Sequence, residues 1–219
     1  MPKSPTRRRP LTRAALTESA WALFTERGFH ATSISDIVER AGLTRGAFYS
    51  NYRDKEELFL TLYDTHTGRL LAELEDATAR PEPGKHALVQ LQERIAGRTR
   101  EERQWFLVSM EFTLHAARNP VVAQQLAAHE ERLTQGLTEV LTAALARTGS
   151  RPVVPADDLT RLLVALFEGL TARRLIHGAA HHTQDLIPHL IHALTTPAHA
   201  TATATSDEQA EPTGGEARD

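Results

Sequence analysis

Thr44, Arg45, Gly46 and Ala47 stand in a row, one guanidinium among three small side chains. At the start of a helix such a row suits the crowded major groove of double-stranded DNA. Arg45 can reach guanine O6 and N7 with a bidentate fork, Ala47 can touch a thymine methyl, and Gly46 lets the backbone come close. Tyr49 and Asn51 follow on the flanks and can donate to phosphates. Lys55 opens the next helix, where its charge and the free helix-end amides point at the same phosphate backbone. Phe48 and Tyr52 fall where they pack inward and hold the helix.

Nothing comparable serves catalysis. The serines lack a His and an acid at readable spacing, and there is no phosphate-cradling glycine loop. The chain has no cysteine, hence no thiol nucleophile, disulfide or thiolate metal site. Eleven histidines raise the question of a metal. His177 and His181 sit at helical i, i+4 spacing, with His182, His189 and His192 nearby, but no acid or thiolate completes a ligand set. Solvated surface histidines are the better account, so neither enzyme activity nor a metal or cofactor is expected.

These residues need elements to present them. Period-two alternation does not persist anywhere, while spacings of three and four recur, so the chain reads as all-α with about nine helices. A first helix is expected from about Leu11 to Arg27, with Leu16, Ala20, Leu23 and Phe24 on one face and Gly28 as its stop. Ser33 caps a short second helix, with Asp36 in capping-box position and Gly42 at its end. Thr44 caps a third helix reaching about Tyr52, and Asp54 with Glu57 forms a further capping box that opens a longer fourth helix. The second helix, the turn Ala41-Gly42-Leu43 and the third helix have the dimensions of a helix-turn-helix, whose second helix enters the major groove.

Beyond it, Arg80-Pro81-Glu82-Pro83-Gly84 must be a loop. Helical patterns resume at Leu88, Leu91 and Ile95, at Trp105 to Leu114, and from Val121 to Leu145. The pattern is strongest at Leu159, Leu162, Leu163, Leu166, Phe167 and Leu170. A last helix carries Ile187, Leu190, Ile191 and Leu194 and tolerates Pro188 in its first turn. From Pro197 the composition turns to Ala, Thr, Gly and acids, and disorder is expected.

The charge is uneven. Residues 1 to 55 hold ten Lys or Arg against five Asp or Glu, a net +5, and the whole chain has net −3, which leaves −8 on the remainder. A basic end on an acidic body is the asymmetry of a chain that meets a polyanion at one end. Arg7 to Arg9 can follow the minor groove or nearby phosphates, or form an arm without contacts. No apolar run approaches the roughly 18 residues of a membrane span, and the N-terminus lacks the apolar centre of a secretory signal. A cytoplasmic protein with no membrane partner is expected.

The run Gly28-Phe29-His30-Ala31-Thr32-Ser33-Ile34-Ser35-Asp36-Ile37, then Ala41 to Tyr52 and Lys55-Glu56-Glu57-Leu58, resembles the DNA-binding domain of the TetR family of regulators. The resemblance covers about residues 10 to 60. It implies a three-helix DNA-binding domain, a linking fourth helix, a divergent ligand-binding core and dimerisation through the last two helices. Position by position it places base-proximal contacts at Arg45, Gly46 and Ala47 and phosphate contacts at Thr44, Tyr49, Asn51 and Lys55. Thr32 and Ser33 join them at the start of the second helix. Asn51 and Tyr52 depart from the His and Phe that many relatives carry.

The expected organisation is a basic arm over 1–9, a DNA-binding domain over 10–55, a helical effector and dimerisation domain over 56–196, and a tail over 197–219. Trp105, Phe106, Met110, Phe112, Leu114 and His115 on one helix, with Phe167 and Arg173 on a later one, either line a cavity for an apolar or aromatic effector or form ordinary core. Leu166, Leu170, Ile187, Leu190 and Ile191 suit an isologous four-helix interface between two copies. The expected function is a homodimeric repressor on a palindromic operator, released by a small molecule. Its rivals are an activator, a ligand-independent regulator, and a ligand-carrying or protein-interaction module that keeps the helix-turn-helix only for packing.

Overall fold

A computed structural model describes residues 5–80, 99–178 and 186–198. Among them are eight helices: α1 (Pro5–Arg27), α2 (Ile34–Arg40), α3 (Arg45–Tyr49), α4 (Lys55–Ala79), α5 (Arg100–Ala117), α6 (Pro120–Arg147), α7 (Ala156–His177) and α8 (Leu186–Ala193). Two short strands, β1 (Ser150–Pro152) and β2 (Thr195–Pro197), pair antiparallel with Arg151 opposite Thr196. The fold is thus all-α, as expected. The strands escape a periodicity search because three residues cannot establish an alternation. The proline loop beyond Arg80, the pattern around Leu88 to Ile95 and the tail beyond Ala198 lie outside the described residues.

α1 begins at Pro5 rather than near Leu11, so the backbone of the arginine-rich segment is helical. Pro5 is preorganised for a first helical turn, and Pro10 lies inside the helix, where it lacks an amide and crowds the carbonyl four residues earlier. Gly28 ends α1 with φ +87°, a conformation that side chains with a Cβ resist.

Compactness divides the chain at residues 140 and 141. In the first unit α1 buries Leu16, Ala20, Leu23 and Phe24, the four residues its pattern points inward. They join Ile37 and Val38 of α2, Phe48 of α3, Leu58 and Phe59 of α4, and Trp105, Val108 and Phe112 of α5 in one cluster. Aromatic rings carry much of it: Phe59 stacks on Phe112 with centroids 4.0 Å apart and on Trp105 at 5.5 Å, and Phe29 meets Phe112 edge-on at 5.0 Å. Phe59 of α4 and the inward face of α5 thus share one hydrophobic cluster with the helix-turn-helix.

The second unit holds α7, α8 and the strand pair, with Leu145, Leu159, Thr160 and Thr171 buried. Gly149 at φ +64° turns the chain into β1, and its carbonyl accepts from the Ala198 amide at 2.7 Å.

Candidate nucleic-acid interface

The helix-turn-helix is assembled by side chains that replace missing helix-end bonds. The Ser33 hydroxyl accepts from the Asp36 amide at 3.1 Å while the Asp36 carboxylate accepts from the Ser33 amide at 2.8 Å, a reciprocal capping box. The Ser33 hydroxyl, 2.6 Å from Asp36 Oδ2, and the Ser33 amide both donate to the carboxylate and hold the Asp36 carboxyl below its ordinary pKa. Gly42 turns the chain at φ +65°, and the Leu43 amide closes the turn on the Val38 carbonyl at 2.8 Å. Thr44 then caps α3 by accepting from the Ala47 amide at 3.2 Å. Asp54 caps α4 through the Glu57 amide at 2.7 Å. The return bond differs from the expected capping box: Glu57 accepts from the Arg53 amide at 2.7 Å, one residue earlier.

α3 has two unlike sides. Phe48 is fully buried, and Tyr52 just beyond the helix is 2% exposed beneath the Arg13 guanidinium, 4.8 Å from its ring centre. Burial pushes the Tyr52 hydroxyl pKa up. Thr44, Arg45, Gly46 and Tyr49 face solvent, Tyr49 at 52% exposure, with Ala47 half-buried beside them. A Cβ on Gly46 would meet only the Thr44 hydroxyl, at an ordinary 3.7 Å. The fold itself does not require glycine there.

Other expected contacts are engaged internally. Thr32 is 1% exposed, with its hydroxyl donating to the Gly28 carbonyl at 2.8 Å, so its side chain braces the α1–α2 loop. Asn51 is half-buried and donates from Nδ2 to the Ala47 carbonyl at 2.8 Å. Lys55 donates from Nζ to the carbonyls of Phe29 and Thr32, each at 2.7 Å, and sits 4.2 Å from the Phe29 ring centre. Burial lowers its pKa, against the pull of Glu56 and Glu111. Sequence reasoning missed this clasp and the α5 cap as well. Thr99 and Glu102 form a capping box that its Thr-x-x-Glu spacing could have revealed.

A family model for the N-terminal part of bacterial TetR-family regulatory proteins matches residues 16–62, and one for the C-terminal part of BetI-type transcriptional repressors matches residues 84–197. The chain belongs to the TetR family. TetR-family proteins are transcriptional regulators that bind DNA through this helix-turn-helix. The chain is similar to the "Probable HTH-type transcriptional regulator ArpR" of Pseudomonas putida, at 30% identity over 75% of this chain and 80% of that one. It is also similar to the HTH-type transcriptional repressor AcnR of Corynebacterium diphtheriae, at 25% identity over 81% and 88%. A transcriptional regulator from Saccharomonospora viridis, solved in complex with choline, shares the fold with TM-score 0.64 and 20% identity over 84% of this chain and 97% of that one.

The residues considered for a TetR-family effector cavity fall in both units. Trp105, Phe106 and Phe112 are buried, and Trp105 and Phe112 belong to the core shared with α1 and α4. Met110 is half-buried, and His115 lies 3.2 Å from a Glu56 carboxylate oxygen. Leu114 is 60% exposed. Phe167 and Arg173 lie on α7 in the second unit, half-buried and exposed respectively. On α7, Leu166 and Leu170 are partly exposed, as are Leu190 and Ile191 on α8; the Ile187 side chain lies outside the described residues. No helix among the described residues is long and apolar enough to cross a membrane.

Proposed function

We propose that the protein is a homodimeric repressor that reads a palindromic operator with α3 and leaves it when a small molecule binds. The exposed start of α3 carries this reading: Arg45, Gly46 and Tyr49 face outward while the far side of the helix is buried. Arg45, Gly46 and Ala47 approach the bases. Thr44, Tyr49 and Asn51 bind phosphates alongside the Ser33 end of α2, and Lys55 supports them at the opening of α4. A pair of subunits joined through α7 and α8 would set two such helices about 34 Å apart, one turn of DNA. The partly exposed apolar residues of those helices suit that pairing. Such a regulator acts in the cytoplasm and needs neither metal, cofactor nor catalytic group.

Repression draws support from the repressors among its relatives. Release by a ligand draws support from the choline complex of a protein with the same fold. An effector that prefers a different separation of the reading helices shifts the population away from the DNA-competent state. A coupling of about 1 to 3 kcal/mol changes affinity about 5- to 150-fold. Selection of bound duplexes from a random pool tests the reading. A pseudo-palindrome with half-sites one turn apart supports it, and enrichment of no sequence refutes it. Transcription from the selected site, measured with and without the protein, checks the sign of regulation.

A further inference from the structure

The loop between α1 and α2 is held by two opposite charges. Lys55 takes the carbonyls of Phe29 and Thr32. Glu111 of α5, 82 positions along the chain, accepts the Phe29 amide on Oε2 at 2.8 Å. The fit is close. A Cβ on Gly28 would fall 2.6 Å from both carboxylate oxygens of Glu111, so the missing side chain makes room for the carboxylate as well as permitting φ +87°. The loop leads directly into the Ser33 cap of α2, and the turn after α2 leads directly into α3. Phe29 itself is 1% exposed, with its ring against Phe59 and Phe112.

We propose that Glu111 is a positioning residue for DNA recognition: reaching from α5, it holds the Phe29 amide and so sets the pose of α2 and α3. The inference rests on the DNA-reading assignment of α3 and adds a residue outside the helix-turn-helix to it. A carboxylate on an amide makes a short, strong bond that fixes both partners. Random duplex is held by charge, which tolerates small changes of pose; a selected operator is read by base-edge hydrogen bonds, which do not. Glu111 therefore acts on the preference between them.

The test compares the intact chain with Glu111→Ala and Glu111→Gln, which keeps an acceptor without the charge. Three quantities are read: affinity for a duplex selected by the unmodified protein, affinity for random duplex at the same salt, and exchange of the Phe29 amide hydrogen. Glu111→Ala should lower selected-duplex affinity at least about ten-fold, equivalent to about 1.4 kcal/mol, with random-duplex affinity within about two-fold. The Phe29 amide should exchange about ten-fold faster or more. Glu111→Gln, whose neutral acceptor makes a bond about half as strong, should recover part of both. A selected-to-random ratio unchanged in Glu111→Ala would overturn the proposal, as would a parallel loss of both affinities with a fallen melting temperature, the mark of a merely structural role. Glu111→Gln no better than Glu111→Ala would overturn the hydrogen-bond route. If the unmodified protein prefers no duplex, the DNA-reading assignment itself fails, while amide exchange still reports whether the carboxylate holds the loop.

Discussion

Lys55→Met separates two roles for one ammonium. The sequence places Lys55 at phosphates, whereas in the fold Nζ donates to the carbonyls of Phe29 and Thr32 at 2.7 Å each. Methionine keeps most of the apolar stem over the Phe29 ring and removes the charge. Hydrogen bonds to charged groups contribute about 1.5 to 3 kcal/mol each, and an ammonium over an aromatic ring adds about 0.5 to 2 kcal/mol. Against this stands the desolvation that depresses the Lys55 pKa, and some of the loss is recovered by water at the half-exposed site. A net destabilisation of about 2 to 4 kcal/mol follows, a large share of the roughly 5 to 15 kcal/mol typical of folded proteins. At about 2 to 4 °C per kcal/mol for a chain of this length, the melting midpoint followed by circular dichroism should fall by roughly 5 to 15 °C. Binding to random duplex across a salt series should keep its slope, since a protein that neutralises one phosphate fewer has a slope smaller by about 0.9. A Lys55→Met protein of unchanged stability whose slope falls by about 0.9 would refute the clasp and return Lys55 to the phosphates.

Three further perturbations probe the interface. Gly46→Ala should leave the fold intact or stabilise it by up to about 1 kcal/mol through helix propensity, since a Cβ there meets nothing closer than 3.7 Å, yet weaken operator binding in a gel shift; undiminished binding would show that α3 does not approach DNA this closely. Arg45→Ala should relax preference at one half-site position, at a cost of about 1 to 3 kcal/mol, read by repeating the duplex selection; an unchanged consensus would remove Arg45 from the base contacts. Asp36 has its carboxyl pKa lowered by the Ser33 hydroxyl and amide, so its contribution is complete above the ordinary value of 3.8 and disappears as pH falls through the lower folded value. The stability advantage of the unmodified protein over Asp36→Asn should therefore close between about pH 5 and pH 2, and a gap independent of pH in urea titrations would contradict the cap.

Local signals are readable in the sequence and long-range ones are not. Ser33, Asp36, Gly42, Thr44 and Asp54 announce helix ends because capping involves residues three apart, and all five occupy the predicted places. Phe48 and Tyr52 turn inward as helical spacing requires. The family resemblance places Thr32 beside Ser33 at the start of the second helix, and its hydroxyl donates to the Gly28 carbonyl with the side chain buried, a packing detail that residue type does not show. Lys55 and Glu111 carry no local sign of their role. Their partners lie 26 and 82 positions away and are main-chain atoms, which leave no trace in residue type. The start of α1 also differs from expectation, since the helix continues N-terminally through Pro10 to Pro5.

The packing of α5 narrows how a signal can reach α3. Its inward stripe of Trp105, Val108, Phe112 and Ala116 is committed to the core with α1 and α4, while Leu107 and Leu114 on another face remain 51% and 60% exposed. A ligand engaging α5 in place does so away from the stacked rings, because entering between Phe59 and Phe112 at 4.0 Å would mean opening a close-packed aromatic pair. Sliding α5 along that stack gives up an aromatic pair that contributes about 0.5 to 1.5 kcal/mol beyond its buried area, together with the close packing around it. Small displacements of α5 are therefore expected to carry α1 and α4 with it as one body. Glu111 adjoins Phe112 and accepts from the Phe29 amide in the loop before α2; under the repressor reading proposed above, the orientation of α3 would follow that of α5, and an effector would act on the separation of the two α3 helices in a dimer.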